Sequence, residues 1–292
     1  MYKDEKIAII ILTCNGEKTI RYLLESIKKQ TKKGKILVID SDSDDLTWDI
    51  LNKETMPMQI KRIRRNTFNH GGTRQMAAEM CKDAEYLVFL TQDAILESEN
   101  TIEKIINCFR DQKIGCAYGR QLPHANARVL GAHARLFNYP EQSRIKSLKD
   151  IEELGIKTAF MSDTFAAYRR IALEEVGGFP PNVIVSEDIY VAAKMLLKNW
   201  SVYYCAEAKV YHSHDYTIKE EFKRYLYIGR FYGKEKWIKE TFGKAEGEGK
   251  KFVLSAFKYV NKVRKILLIE MCVRTVIKYI AYKIGMNEEI NK

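Results

Sequence analysis

The sequence predicts an α/β fold, in which a mostly parallel central sheet is flanked by helices and followed by a basic helical extension. Short apolar runs alternate with segments of helical periodicity through the first 120 residues, as in successive βαβ units. Residues 216–292 hold 18 Lys and Arg against 9 Asp and Glu, and residues 1–215 hold 31 against 29, so their net charges are +9 and +2. This division argues against a nucleic-acid binder and is typical of a catalytic body with a basic attachment region.

The elements of the first half follow from their apolar runs and periodicity. Residues 7–12, 35–40, 59–65 and 86–93 are predicted strands, and residues 17–30 and 71–84 are predicted helices. The strands and helices alternate, so the connections between the strands are expected to be helical crossovers.

The second half is less regular. Residues 115–182 have no sustained period and are predicted to form a long excursion around an active site. After it, an amphipathic helix capped by Ser186 is expected to run to Trp200. Residues 201–214 are expected to form a strand pair that ends in two histidines.

The chain is expected to divide into a catalytic domain over residues 1–215 and an extension over residues 216–292. Residues 252–285 are predicted to be helical throughout, with seven Lys or Arg and one Glu. No 18-residue stretch there is free of charge, so the basic helix should lie in the inner face of the cytoplasmic membrane and not span it. Packing on the protein's own body or on a second copy, which would make a homo-oligomer, is an equally supported alternative.

Cysteine usage and the N-terminus indicate the compartment. The six cysteines are scattered without a CxxC pair, as reduced thiols are. The apolar run over residues 7–12 is too short for a signal-peptide core or a membrane span. We therefore expect a cytoplasmic protein that is peripheral to the membrane.

Acids and histidines follow several predicted strands or begin a helix. They are Asp40, Asp42, Asp44, Asp45, Asp93, Glu187, Asp188, His212 and His214. The carboxyl ends of strands form the edge at which open α/β sheets bind ligands. Taken singly, each residue has an ordinary explanation as a cap, a turn residue or a core histidine. Taken together, they offer the oxygen and imidazole ligands of a metal that bridges a diphosphate.

Short motifs occur in a definite order along the chain. They begin with "AIIILTCNGEKT" and "KILVIDSDSDD", continue with "FNHGGTR" and "FLTQDA", and end with "EVGGF", "VSEDIY" and "HSHDYT". This order resembles that of family 2 glycosyltransferases, which have the GT-A fold, and is most similar to the bacterial rhamnosyltransferase branch. The resemblance covers roughly residues 5–230 and implies a nucleotide-sugar half over about residues 1–120 and an acceptor half over about residues 121–215.

The resemblance implies that residues after the first two strands bind the nucleotide. Thr13 and Asn15 would line the base and the phosphates. Asp40 would accept a hydrogen bond from the base, and Asp42 would reach the ribose.

Three further residues would complete the donor site. The resemblance implies that Arg74 pairs with phosphate oxygens or frames the base, and a salt bridge to the acidic loop 40–45 is its alternative. Gln92 would also contact the nucleotide sugar, and His70 would hold the sugar or the acceptor.

The motif "TQD" departs from the Asp-x-Asp of the family. Thr91 replaces the first acid, so Asp93 alone would bind a divalent metal, Mg²⁺ or Mn²⁺. The resemblance gives the second metal ligand as His212 or His214, with His214 preferred. Metal binding is accordingly expected to be weak or dependent on the donor.

The Glu187–Asp188 pair resembles the acidic pair of the family at the start of the acceptor-side helix. An inverting transfer needs a carboxylate that takes the proton of the acceptor hydroxyl, and Asp188 is predicted to be this base. Glu187 would raise the pKa of Asp188 or orient the acceptor. Asp163 and Trp200 are lesser candidates for contacts with the acceptor.

The implied reaction is the inverting transfer of L-rhamnose from dTDP-β-L-rhamnose to a lipid-linked cell-surface polysaccharide. A UDP-hexose or UDP-N-acetylhexosamine donor is the alternative within the same class. A nucleotidyltransferase, which would need a better glycine-rich loop than "LTCNGEKT", and a non-catalytic binding module are alternatives of other classes.

Overall fold

A central sheet forms the core of the protein, for which a computed structural model describes residues 6–243, 246–263 and 266–290. The strands are β1 (Ile7–Thr13), β2 (Lys35–Asp40), β3 (Gln59–Arg62), β4 (Tyr86–Thr91), β5 (Ile95–Leu96), β6 (Ile114–Leu122), β7 (Arg144–Lys146), β8 (Phe165–Arg169) and β9 (Ser201–Tyr211). Their order in the sheet is β3-β2-β1-β4-β8-β6-β9-β5, and β7 pairs with the first part of β9.

Helices cover both faces of this sheet. They are α1 (Ile20–Lys28), α2 (Thr47–Asn52), α3 (His70–Met80), α4 (Thr101–Asn107), α5 (Val129–Asn138), α6 (Ile151–Leu154), α7 (Arg170–Glu175), α8 (Glu187–Leu197), α9 (Ile218–Lys234), α10 (Lys236–Phe242), α11 (Glu246–Val263) and α12 (Leu267–Ile290). Strand β1 is buried along its whole length. Its alternate residues enter two separate apolar clusters, because successive side chains of a strand point to opposite faces.

Strand direction determines where the site lies. Strands β1 to β4 are parallel, β8 is antiparallel to both β4 and β6, and β9 is parallel to β6. Six long strands therefore end at one edge of the sheet, where β8 begins. In register, Thr13 faces Asp40 and Leu12 faces Thr91 at this edge. Residues that follow β1, β2, β4 and β9 and those that precede β8 converge there, as the sequence predicts for Asp40 and Asp93.

The middle of the chain is more regular than its sequence predicts. The segment over residues 115–182 contains most of β6 and all of α5, β7, α6, β8 and α7. The predicted strand pair over residues 201–214 is wrong, since Ser201–Tyr211 is one continuous strand. Strand β6 pairs along it, with a shift of register between Gly119 and Arg120.

The extension is a set of helices folded against the body. The single helix predicted over residues 252–285 is wrong: α11 and α12 are separate helices, and residues 264–265, between them, lie outside the described residues. Helix α12 packs closely along α9, because Gly285 and Gly229 leave room for the facing backbone carbonyls of Leu226 and Tyr282. Within the described residues, no helix is both long and apolar enough to cross a bilayer.

One buried arginine ties α12 to the start of the extension. Arg274 of α12 donates to the backbone carbonyl of Tyr216 at 2.9 Å, and its guanidinium lies 2.9 Å from Glu221 and 2.8 Å from Glu270. Tyr216 follows His214 by two residues, so α12 is anchored beside the end of β9.

We predict that Gly285→Ala destabilises the protein by about 1–3 kcal/mol, since its Cβ would collide with the Leu226 carbonyl and force α9 and α12 apart. Gly247→Ala, in α11, is the matched control because a Cβ there meets nothing within 4 Å. Thermal unfolding of both variants measures the difference. Equal melting temperatures would contradict the close packing of α9 on α12.

Candidate active site

Gln92 clamps the loop after β1 to the end of β4. Its amide oxygen accepts from Thr13 Oγ1 at 2.6 Å and from the backbone nitrogen of Cys14 at 2.8 Å, and its amide nitrogen donates to the Cys14 carbonyl at 3.1 Å. The amide is thus used within the protein. Gln92 and buried Thr13 therefore brace the two strand ends, and the contacts with the nucleotide sugar that the resemblance implies stay predictions.

Asp40 shapes the acidic loop and does not face the cleft. It is fully buried, and its two carboxylate oxygens accept from the Oγ and backbone nitrogen of Ser43 at 2.5 and 3.1 Å. The hydrogen bond from the base to Asp40 that the resemblance implies stays a prediction. Asp42 is exposed, as a ribose contact requires, and has a left-handed φ of 54°.

Two arginines that the sequence analysis did not single out hold the acidic loop. Arg62 lies 3.0 Å from the Asp42 carboxylate, and Arg65 lies 3.2 Å from Asp44. Arg65 also donates to Asn15 Oδ1 at 3.2 Å, which joins the first two strand-end loops. Arg74 pairs instead with Asp163 and Glu187, so the alternative salt bridge from Arg74 to this loop is wrong.

Asp93, His212 and His214 meet at the sheet edge. The Oδ2 atom of Asp93 lies 3.4 Å from His212 Nε2 and 3.7 Å from His214 Nδ1. One ligand atom from each of the three residues lies within 4.8 Å of the others. Burial lowers the pKa of both histidines, that of His214 to about 4, so both imidazoles are neutral and able to bind a cation near pH 7. The sequence left the choice between the two histidines open, and the structure brings both to Asp93.

Gln121, on β6, fixes the tautomer of His212. Arg135 donates to Gln121 Oε1, so this atom must be the amide oxygen, and it accepts from His212 Nδ1 at 2.9 Å. The proton of the imidazole is then on Nδ1, and the lone pair of Nε2 faces the Asp93 carboxylate. The Nε2 atom of His212 and the Oδ2 atom of Asp93 lie 3.4 Å apart with their lone pairs facing each other, an arrangement that favours a cation bound between them.

Arg74 lies at the centre of a second, buried cluster. Its Nε lies 2.8 Å from Asp163 Oδ2, and its Nη1 lies 2.6 Å from Glu187 Oε1. Arg74, Asp163 and Glu187 are all at most 4% exposed. The guanidinium of Arg74 is thus engaged by two acids, and the contact with phosphate or base that the resemblance implies stays a prediction.

The motif "FNHGGTR" explains how Arg74 reaches these acids. Asn69 caps α3 by accepting from the backbone nitrogen of Gly72 at 2.7 Å. A Cβ on Gly71 would collide with the Pro180 carbonyl, so only glycine lets α3 approach the loop that precedes α8. Helix α8 begins at Glu187, and this close approach brings Arg74 within ion-pairing distance of it.

Burial raises the pKa values of the carboxyls around Arg74. Against the opposing charge of Arg74, burial raises the pKa of Asp163 to about 7 and that of Glu187 to about 8, and it also raises the pKa of Asp188. Burial thus opposes the charged form of all three acids, and the positive charge of Arg74 favours it. Burial, and not the charge of Glu187, is the main cause of the raised pKa of Asp188.

Asp188 is oriented by the backbone and remains partly accessible. Its Oδ1 accepts from the backbone nitrogen of Ile189 at 2.8 Å, and its Oδ2 accepts from that of Asp163 at 3.2 Å. Glu187, by contrast, is engaged by Arg74. The predicted cap at Ser186 is wrong, since this residue makes no side-chain capping bond and has a left-handed φ of 71°. Such strain is typical of functional sites.

His70 and Trp200 are the remaining residues that were expected to contact the sugar or the acceptor. Arg74 can only donate, so its 3.0 Å contact with His70 Nδ1 leaves the proton of the imidazole on Nε2. Burial, with the charges of Arg74 and Arg224, lowers the pKa of His70 to about 3, and the ring is a neutral donor beside the acids. Trp200 lies beyond the C-terminal end of α8, whereas Glu187 begins that helix, and its indole nitrogen donates to Glu175 at 2.9 Å, so the acceptor contact expected of Trp200 stays a prediction.

The sequence of this chain matches the profile of "Glycosyl transferase family 2" over residues 8–177. The matched segment runs from β1 to the end of α7 and contains Asp93, Arg74 and Asp163. The chain belongs to glycosyl transferase family 2. The nucleotidyltransferase and the non-catalytic module, considered from sequence, are set aside by this membership.

Two bacterial relatives extend the similarity over nearly the whole glycosyltransferase. The chain is 44% identical over 281 residues to the O-antigen chain rhamnosyltransferase RfbN of Salmonella typhimurium strain LT2, covering 96% of this chain and 89% of that protein. It is 43% identical over 261 residues to the O-antigen chain rhamnosyltransferase WbaN of Salmonella anatum, covering 89% and 82%.

Solved structures support the GT-A type of fold predicted for this glycosyltransferase. The mannosyltransferase PcManGT of Pyrobaculum calidifontis, in complex with GDP-Man and Mn²⁺, superposes with a TM-score of 0.65 at 17% identity, covering 98% of this chain and 87% of that one. TarS residues 1–349 of S. aureus superpose with a TM-score of 0.56 at 15% identity, covering 97% and 90%. At these identities, the likeness concerns the fold alone.

The donor set of the glycosyltransferase fits a divalent cation. Two neutral imidazoles and one carboxylate converge, and the tautomer of His212 directs a lone pair to the same point. Thr91, at the other acidic position of the family motif, adds no carboxylate. A site with three protein ligands leaves positions for oxygen atoms of a diphosphate.

We predict that Gln121→Leu weakens the binding of Mn²⁺ by roughly 10- to 100-fold, because His212 loses the acceptor that fixes its tautomer. Gln59→Leu, on the exposed edge strand β3, is the control and should bind Mn²⁺ as wild type does. Calorimetric titration with Mn²⁺ measures both. Unchanged affinity in Gln121→Leu would exclude this role for Gln121.

Proposed function

We propose that this glycosyltransferase transfers L-rhamnose, with inversion, from dTDP-β-L-rhamnose to a lipid-linked cell-surface polysaccharide. The observation that carries the sugar assignment is the identity of 43–44% to two O-antigen chain rhamnosyltransferases over most of the chain. The inverting mechanism is supported by two separate clusters, namely the candidate metal ligands around Asp93 and the buried acids around Asp188.

Asp188 is proposed as the base. The acceptor hydroxyl donates its proton to the Asp188 carboxylate while its oxygen attacks the anomeric carbon. Two backbone nitrogens orient the carboxylate, and burial raises its pKa, which makes Asp188 a stronger base than an ordinary aspartate. Glu187 and Asp163 hold Arg74, whose charge keeps a buried group of acids stable.

The leaving diphosphate is proposed to lie on the side of Asp93, His212 and His214. Bound there, a divalent cation would supply positive charge to the diphosphate. We propose Mn²⁺ ahead of Mg²⁺, because the donor set contains two imidazoles, whereas Mg²⁺ is usually bound by carboxylates and phosphates. Asn15 and Asp42, which are exposed at the strand-end loops, are proposed to line the nucleotide.

A donor panel tests the sugar assignment. We expect transfer from dTDP-β-L-rhamnose to a synthetic lipid-linked acceptor, measured by the mass of the product. UDP-glucose and UDP-N-acetylglucosamine, in matched reactions, should give no product. Transfer only from a UDP-sugar would overturn the rhamnose proposal while leaving the family assignment intact.

We predict that Asp188→Asn lowers kcat by roughly 10²- to 10⁴-fold, because the amide cannot take the proton of the acceptor. Donor binding should persist, since Asp188 lies on the acceptor side. Asp83→Asn, in an exposed turn, is the control and should retain full activity. Turnover of Asp188→Asn at the rate of wild type would rule out the base assignment.

We also propose that the catalytic domain ends at residue 215.

We propose a cytoplasmic, peripheral position for the protein at the inner face of the membrane, where lipid-linked acceptors lie. Helix α12 exposes an apolar row at helical spacing, in which Ile269 is 73% and Val276 is 57% exposed. Lys250 and Lys258 of α11 supply positive charge, whereas Lys278 is paired with Glu221. An apolar row with nearby cations fits an anionic membrane surface.

We predict that the double substitution Ile269→Ser with Val276→Ser reduces sedimentation with anionic vesicles, because it removes apolar area at the proposed contact. Ile171→Ser, which alters an isoleucine that is 62% exposed on α7, is the control and should bind vesicles as wild type does. Vesicle binding unchanged by the double substitution, with a loss of self-association in sedimentation equilibrium, would instead identify α12 as the contact with a second copy.

A further inference from the structure

Two arginines beside the Asp93 site have no carboxylate partner within the described residues. Arg135 belongs to α5 and Arg224 to α9, and neither forms an ion pair with the described part of the chain. The segments that contain them were expected to be an irregular excursion and a membrane attachment. The sequence analysis singles out neither arginine.

Arg224 lies over the aromatic end of the site. Its guanidinium carbon lies 5.9 Å from the centre of the Tyr216 ring, and that ring lies 4.8 Å from the ring of His214. Tyr216 is anchored by Arg274, so α9 is held in this position by α12. An arginine of the extension is thereby brought next to a candidate ligand of the metal.

The acids nearest to Arg224 on its own helix are already engaged. Glu220 accepts from Thr217 and caps α9. Glu221 is paired with Arg274 and Lys278. The positive charge of Arg224 is therefore not neutralised by α9.

Arg135, on α5, approaches the Asp93 site beside His212. Its Nη1 donates to Gln121 and lies 3.4 Å from His212 Nδ1. Its Nε is buried and has no hydrogen-bond partner within the described residues. A buried donor without a partner is costly, and a bound anion would satisfy it.

The charge of Arg224 extends to the acceptor side. Burial raises the pKa of Asp188, and the guanidiniums of Arg74 and Arg224 oppose this rise. The contact of Arg224 with the Tyr216 ring, which packs on His214, places it on the side of the proposed leaving group. A group in this position can contact the phosphate that is bonded to the anomeric carbon.

We propose that Arg224 and Arg135 bind the diphosphate of the donor and stabilise it as it leaves. This inference rests on the proposed glycosyl transfer and deepens it. A guanidinium can donate two parallel hydrogen bonds to a phosphate, and such bonds strengthen as negative charge develops.

The electron balance of the step explains why the arginines matter. A bond forms between the acceptor oxygen and the anomeric carbon, and the bond from that carbon to the β-phosphate oxygen breaks. The bonding electron pair stays on the phosphate oxygen, and the acceptor proton goes to Asp188. The diphosphate gains one negative charge, so two unpaired cations beside it stabilise the transition state more than the ground state.

The binding of dTDP and of UDP to Arg224→Ala tests this proposal by calorimetry. We expect the affinity for both nucleotides to fall by roughly 10- to 100-fold, because the lost contact is to phosphate and not to the base. Arg224→Lys should lose less, and Arg135→Lys should weaken both nucleotides in the same way. Lys223→Ala, the adjacent exposed residue of α9, is the matched control and should bind both as wild type does.

Unchanged affinity of Arg224→Ala for both nucleotides would overturn the proposal. So would a rise in the KM of the lipid-linked acceptor alone, which would mean that the phosphate recognised is that of the lipid. Tighter binding of UDP than of dTDP by wild type would count against the rhamnose donor only. The failure of this inference and that of the proposed function are therefore distinguishable.

Discussion

The ion pairs of Arg74 with Asp163 and Glu187 are the interaction on which the acceptor side of the site depends. Three acids lie in a buried region, where burial raises their pKa values, and the charge of Arg74 opposes this rise. Removal of the one guanidinium would leave buried charges without a partner, at a cost of about 3–5 kcal/mol. Because Arg74 engages Glu187 and Asp163, Asp188 is the acid of the group that remains available to an acceptor.

A second constraint is the common direction of the strands. The long strands other than β8 end at one edge, and β8 begins there, so residues far apart in sequence meet without long loops. Asp93 and His212 are 119 positions apart, yet their side chains lie 3.4 Å from each other. The extension completes the edge, because Arg274 holds Tyr216 beside His214 and positions α9 over the cleft.

The sequence predicts the sheet edge well, because apolar runs that end in acids are local patterns. It also predicts the meeting of Asp93 with the histidines, although only through the family resemblance. The roles of Asp40 and Arg74 could not be read in this way. The hydrogen bonds from Ser43 to Asp40 are local, but the complete burial of Asp40 and the approach of α3 to the loop before α8 at Gly71 come from tertiary packing. The pattern Asp-x-x-Ser and the glycine pair after Asn69 are the signals that could have indicated them.

The anomeric configuration of the product tests the central claim most directly, namely that the diphosphate leaves on the side of Asp93 while Asp188 activates the acceptor on the opposite side. The measurement is the one-bond carbon–hydrogen coupling at the new linkage, by NMR, after transfer from dTDP-β-L-rhamnose. The expected product is an α-linked rhamnose, since attack opposite the leaving group inverts the anomeric carbon. A β-linked product would contradict it.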